Sequence, residues 1–176
     1  MLSIQIDSRD IAKLEGIVGH IRRGVPRVLV PAVNRALDKG RTEVRREIRK
    51  IYVIKQKDIP IKVRHASYVE IQGAVSLTQS MLGLDKFRYR GGTGRKQLWG
   101  QVKKGGGGFI PRGFIYPGRG PFKRSGEARL PIHKILSIGA PIMASQPTVA
   151  PNVIKAMEDT LDSRMNHEIE RVMATA

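Results

Sequence analysis

KFRYRGGTGRKQLWGQVKKGGGGFIPRGFIYPGRGPFKRSGEARLPIHK, residues 86–134, holds thirteen Lys or Arg against one acid, Glu127, a local charge of +12. Residues 1–85 carry +7 and residues 135–176 carry −2, so the middle of the chain holds most of the net +17. Within the stretch, QLWGQVK (97–103), FIPRGFIYPG (109–118) and PFKRSGEARLPI (121–132) read as strands whose prolines fall at edges or turns. Gly91–Lys96 and Lys103–Gly108 then read as mobile tips. Six of the nine aromatic residues, Phe87, Tyr89, Trp99, Phe109, Phe114 and Tyr116, fall within thirty residues of each other.

Upstream, SYVEIQGAVSL (67–77) alternates in the same way, with Gly73 as a bulge, and adds a strand. LSIQI (2–6) suits a short strand with one buried face. Asp7 or Ser8 can cap a helix whose apolar positions are Ile11, Leu14, Ile17, Val18 and Ile21, ending near Gly24. Pro26 opens a longer helix reaching about Tyr52, with Pro31 as a possible kink. Val30, Val33, Ala36, Leu37, Val44, Ile48 and Ile51 line one face of it, and Gly40 weakens it by roughly 1 kcal/mol relative to Ala. IKQKDIPIKV (54–63) reads as a short helix or turn. Downstream, residues 133–149 read as an apolar turn of helix and a proline-broken connector. Pro151 opens a last helix in which Ile154, Met157, Leu161, Met165, Ile169 and Val172 keep a spacing of three to four.

The expected fold is α+β: N-terminal helices and a C-terminal helix packed on a small antiparallel sheet with a long basic, glycine-rich loop. At 176 residues one domain is expected. Its parts are helical 8–64, sheet with basic loops 66–134, and connector with C-terminal helix 135–176.

The absence of cysteine excludes disulfides, thiolate metal sites and cysteine nucleophiles. Acids at positions 7, 10 and 15 and the lack of an apolar run argue against a signal peptide, and no stretch of eighteen apolar residues is present to span a membrane. Synthesis in the cytoplasm is the default.

A sequence pI near 10.8 favours a polyanionic neighbour: nucleic acid, an anionic membrane or an acidic protein surface. Neither GGTGRKQ nor KKGGGGFIPRG supplies the Gly-Lys-Ser/Thr of a phosphate loop, and neither opens an apolar helix after a strand as a dinucleotide site requires. His20, His65, His133 and His167 lie far apart, so no metal set and no catalytic set can be nominated, and neither a cofactor nor an enzyme is expected. What remains is a basic, aromatic-bearing region. Its cations can reach phosphates and its rings can stack on bases or anchor a protein contact, independent of sequence. The competing reading is an arm that orders against neighbouring subunits.

RTEVRREIRKIY (41–52), IKQKDIPIKV (54–63) with its basic continuation into RHA, YVEIQGAVSL (68–77), Gly113-Phe114-Ile115 and FKRSGEARLPI (122–132) together resemble the minor tail protein Z family of tailed phages and prophages. The resemblance covers about residues 25–140. It implies a structural, non-enzymatic tail-completion protein of the virion, acting at the head-proximal end (the neck) as a small α+β ring, commonly of six subunits, around the DNA channel. The ring lies between the tail tube or terminator and the head-tail connector, with other tail and neck proteins as partners.

In that setting Lys103, Lys104, Arg112, Arg119, Lys123 and Arg124 are candidates to face DNA or an acidic neighbouring ring. Trp99, Phe109, Phe114, Met157, Leu161 and Met165 are candidates for packing between subunits. The alternative is a sequence-independent nucleic-acid-binding protein of ribosomal or nucleoid type.

Overall fold

Apolar residues three and four apart build the helices, and short alternations build the strands, in a computed structural model that describes residues 2–3, 8–21, 23–78, 80–94 and 96–175. Strand β1 (Leu2–Ser3) is followed by helices α1 (Ser8–Val18) and α2 (Gly24–Ile51), then strands β2 (Ile61–Arg64) and β3 (Ala74–Leu77). The middle holds β4 (Met81–Gly83), β5 (Arg88–Arg90), β6 (Leu98–Gln101), β7 (Gly108–Ile110), β8 (Gly113–Tyr116) and β9 (Gly120–Arg124). Strands β10 (Ile132–Lys134) and β11 (Leu136–Ile138) and helices α3 (Ala140–Ala144) and α4 (Val149–Ala174) come last. The class is α+β, with helices towards both ends of the chain. The described strands form four small antiparallel sheets rather than one, in the orders β1-β3-β2, β11-β4, β5-β6-β7 and β10-β9-β8.

Two compact units share these elements. The first comprises the described residues within Met1–Val44, Ile61–Leu77 and Ala150–Ala176. Its core gathers Leu14 and Val18 of α1, Val28 and Leu29 of α2 and Val172 of α4, with Met165 and Ile169 packed against it. Elsewhere in this unit Met157 lies against Gly40 of α2. Glu168 is buried on α4, where Arg164, at 3.2 Å, and Arg171 neutralise it from positions four before and three after.

The second unit comprises Arg45–Pro60 and Thr78–Val149. Its buried side chains include Tyr52, Ile54, Ile59, Leu82, Leu84, Phe87, Leu98 and Met143. Leu98 on β6 packs over Gly113 of β8, which brings two of the small sheets together.

Several expectations are corrected. Only Ala74–Leu77 of the stretch 67–77 pairs as a strand. Two hydrogen bonds instead hold Ala66 to α2: Asn34 Nδ2 donates to the Ala66 carbonyl at 3.1 Å, and the Ala66 amide donates to Asn34 Oδ1 at 2.7 Å. The Ser67 amide donates to the Glu70 carbonyl at 2.8 Å and the Glu70 amide to Ser67 Oγ at 3.1 Å, closing a turn that leaves Val69 98% exposed. Within 54–63, the turn at Gln56–Asp58 is followed after Pro60 by strand β2, paired with β3.

Residues 132–138 are not helical. Ile132–Lys134 pair with β9 and Leu136–Ile138 with β4. Helix α1 stops at Val18 because Gly19 and the turn to Gly24 follow it. Of the expected strand 2–6, Leu2 and Ser3 pair with β3, while residues 4–6 and the cap at Asp7 lie outside the described residues.

Candidate polyanion interface

The long basic loop is not clearly present as one feature. Its glycines sit where tight reversals between short strands need them, as at Gly118 and Gly120, whose φ values of 70° and 90° admit no ordinary side chain without strain. They close the β8–β9 hairpin, in which Phe114 faces Phe122 and Gly113 faces Lys123.

That pairing sorts the hairpin's side chains onto two faces. One face carries Phe114, Phe122 and Tyr116, with the Tyr116 and Phe122 ring centroids 5.7 Å apart. Arg124 stacks over Phe114 at 4.8 Å and Arg119 over Tyr116 at 5.6 Å. The rings hold the guanidinium planes while leaving their hydrogen-bonding edges to solvent. Lys123 lies on the opposite face, beside His133 of β10. Arg112, in the tight link between β7 and β8, is exposed. Its nearest carboxylate is that of the almost fully exposed Glu127, 3.9 Å away, an ion pair of little energetic consequence.

A second aromatic and cationic face belongs to β5-β6-β7. Arg90, Trp99 and Phe109 stand opposite one another across the three strands, and the Arg90 guanidinium lies 4.6 Å from the Trp99 ring centroid. The backbone at Gly107 also packs against the Trp99 ring. Phe109 is exposed.

Lys103 and Lys104 lie at the root of the β6–β7 hairpin, tied to the end of α2. The Val53 amide donates to the Val102 carbonyl and the Lys104 amide to the Ile51 carbonyl, each at 2.8 Å. Lys103 Nζ sits 5.8 Å from the centroid of the Tyr52 ring. Lys104, with Arg49, Lys55, Lys86 and Arg88, surrounds a cavity of about 410 Å³ floored by Tyr52, Val53, Ile54 and Phe87. Lys86 is paired with Asp58 at 3.2 Å. Arg49, Lys55, Arg88 and Lys104 have no carboxylate within ion-pair reach among the described residues. The Tyr52 hydroxyl is buried without a hydrogen-bond partner among the described residues, and burial pushes its phenol above the usual tyrosine range.

The six candidate cations thus fall into two groups. Lys104 lines the cavity and Lys103 lies over the Tyr52 ring, while Arg112, Arg119, Lys123 and Arg124 belong to the β8–β9 hairpin and its approach. Sequence reading missed Arg49, Lys55 and Arg88 as partners of Lys104. The alternation of Lys86, Arg88 and Arg90 was a usable signal for one cationic strand face, but nothing local brings the end of α2 beside it.

Of the six packing candidates, Met157 and Leu161 are buried within this chain, and Met165 packs on its first core. Trp99 and Phe114 lie half-buried under arginines, and Phe109 alone of the six is a large exposed apolar side chain at 66%.

Among the described residues, no group of three His, Cys, Asp or Glu side chains is placed to hold a metal ion, and no helix is long and apolar enough to cross a membrane. No family model, curated protein or solved structure matches the chain.

Proposed function

We propose that this chain is a structural component of a phage tail, completing it at the head-proximal end. In this reading, copies form a ring, six by resemblance, between the tail tube or terminator and the head-tail connector. The ring turns its hairpin cations towards the DNA channel or an acidic adjoining ring. The observation that carries the reading is the β8–β9 hairpin, where Arg112, Arg119, Lys123 and Arg124 are all exposed and two of the four are braced by aromatic rings. Such a surface meets a polyanion through charge rather than base edges, as a channel for DNA of any sequence requires. The virion is then its place of action.

The test is the triple reversal Arg112→Glu, Arg119→Glu, Lys123→Glu, all at exposed positions of the hairpin and its approach. The variant should fold, by circular dichroism, and abolish joining of heads to tails or DNA positioning; a normal plaque yield refutes the reading. The cation–aromatic stacks also favour a second reading, a free sequence-independent nucleic-acid-binding protein. Binding of DNA by the isolated chain separates the two. The tail reading expects weak binding, and tight binding with a steep salt dependence selects the alternative.

A further inference from the structure

The cavity beside Lys104 combines an apolar floor, in which Ile54 and Phe87 are buried, with a rim of cations of which Arg49, Lys55, Arg88 and Lys104 have no carboxylate partner among the described residues. Its volume of about 410 Å³ is ample for an apolar side chain with polar groups around it. Helix α4 carries the complementary pattern. Ile154, Glu158 and Asp162 recur every fourth residue, so they form one stripe about 12 Å long, with Asp159 adjoining it. Ile154 is 43% exposed, and the three acids are exposed without a cation partner among the described residues.

We propose that the cavity of one copy receives this stripe from a second copy. Ile154 enters above Ile54 and Phe87, while Glu158, Asp159 and Asp162 meet Arg49, Lys55, Arg88 and Lys104. The occupant follows from charge: unpaired cations around an apolar floor match unpaired carboxylates around an exposed isoleucine, and every copy carries both patches. Because the patches differ, the contact is heterologous, so it repeats from copy to copy and closes into a ring when the rotation allows. The proposal rests on the ring reading above and supplies its subunit joint.

Sedimentation of the purified full chain across concentration and salt tests it. Wild type should associate in a concentration-dependent way at low salt and dissociate as salt rises. Arg49→Glu with Lys104→Glu, or Glu158→Lys with Asp162→Lys, should each weaken association by at least about 100-fold, since like charges then face each other. The chain carrying all four substitutions should regain association, as should an equimolar mixture of the two double variants. Should a reversal disturb folding by circular dichroism, Gln at the same positions replaces it, with the weakening alone as the readout.

A wild-type chain that stays monomeric overturns the proposal. So does a double variant that associates like wild type, or a four-site variant that folds and stays apart. Incorporation of the wild-type chain into tails is scored separately: a chain that enters tails but never self-associates refutes the joint and leaves the function standing.

Discussion

Replacing Gly40 by alanine tests the packing of α2 against α4 through the sign of one number. In an unencumbered helix the change stabilises by about 1 kcal/mol, because glycine has the greater backbone freedom to lose. Here a Cβ on residue 40 would stand 2.4 Å from Met157 Sδ, 2.9 Å from its Cγ and 3.0 Å from its Cε. Three consecutive side-chain atoms would have to move, and Met157 is only 2% exposed, so a terminal rotation does not relieve the clash. Overpacking of this kind costs about 1–3 kcal/mol. Set against the propensity gain, Gly40→Ala should destabilise by roughly 1 kcal/mol, which lowers the melting midpoint by about 2–4 °C in a chain of this size.

Met157→Ala alone should cost about 2–5 kcal/mol through the cavity it leaves. In that background the obstruction is gone, so Gly40→Ala should raise stability. Urea unfolding of the four proteins of the cycle, followed by circular dichroism, measures both signs. If Gly40→Ala raises the midpoint in the wild-type background, the close approach of the two helices is refuted.

Two further substitutions probe single groups. Asn34→Ala removes both bonds to Ala66, one of which satisfies the amide of a residue only 6% exposed, and should cost about 2 kcal/mol in urea unfolding; a loss below about 0.5 kcal/mol counts against the clamp. Tyr52→Phe removes a buried hydroxyl that has no partner among the described residues, and should leave stability at neutral pH unchanged or raised by up to about 1–3 kcal/mol. The folded chain holds the Tyr52 proton more tightly than the unfolded chain does. That contribution is complete below the ordinary tyrosine value of about 10 and is lost as pH rises through the higher folded value. The wild type should therefore lose stability in this alkaline range and the Phe variant should lose less; equal losses refute the assignment.

What was legible in the sequence was what repeats over many residues. Helices α2 and α4 each sustain an apolar spacing for more than six turns, and their positions follow from it. Short segments were less reliable guides. The alternation from Tyr68 to Gln72 matches a strand, yet Asn34, more than thirty residues earlier, holds the chain beside it in another path. Ile135, Leu136 and Ile138 read as a helical turn because their spacing is ambiguous over so few residues, and only pairing with β9 and β4 makes the region extended. The basic character of the hairpins was legible as composition. Their two faces required the register that sets Phe114 opposite Phe122. The cavity drew cations from the end of α2, the segment after it, the region of β5 and the β6–β7 hairpin, a convergence no local pattern contains.

The first unit is built from three stretches separated in sequence, and α4 contributes Val153, Met157, Leu161 and Val172 to what it buries. During synthesis, the parts of α2 and β3 that belong to this unit leave the ribosome before Thr78–Val149 of the second unit is made, and α4 follows only afterwards. At roughly 5–20 residues per second, the face of α2 around Gly40 waits for seconds without its covering helix. The second unit has all its segments by then. The first unit's nascent apolar surface therefore stays open to chaperones after the second unit has its last segment, and it closes only when α4 arrives.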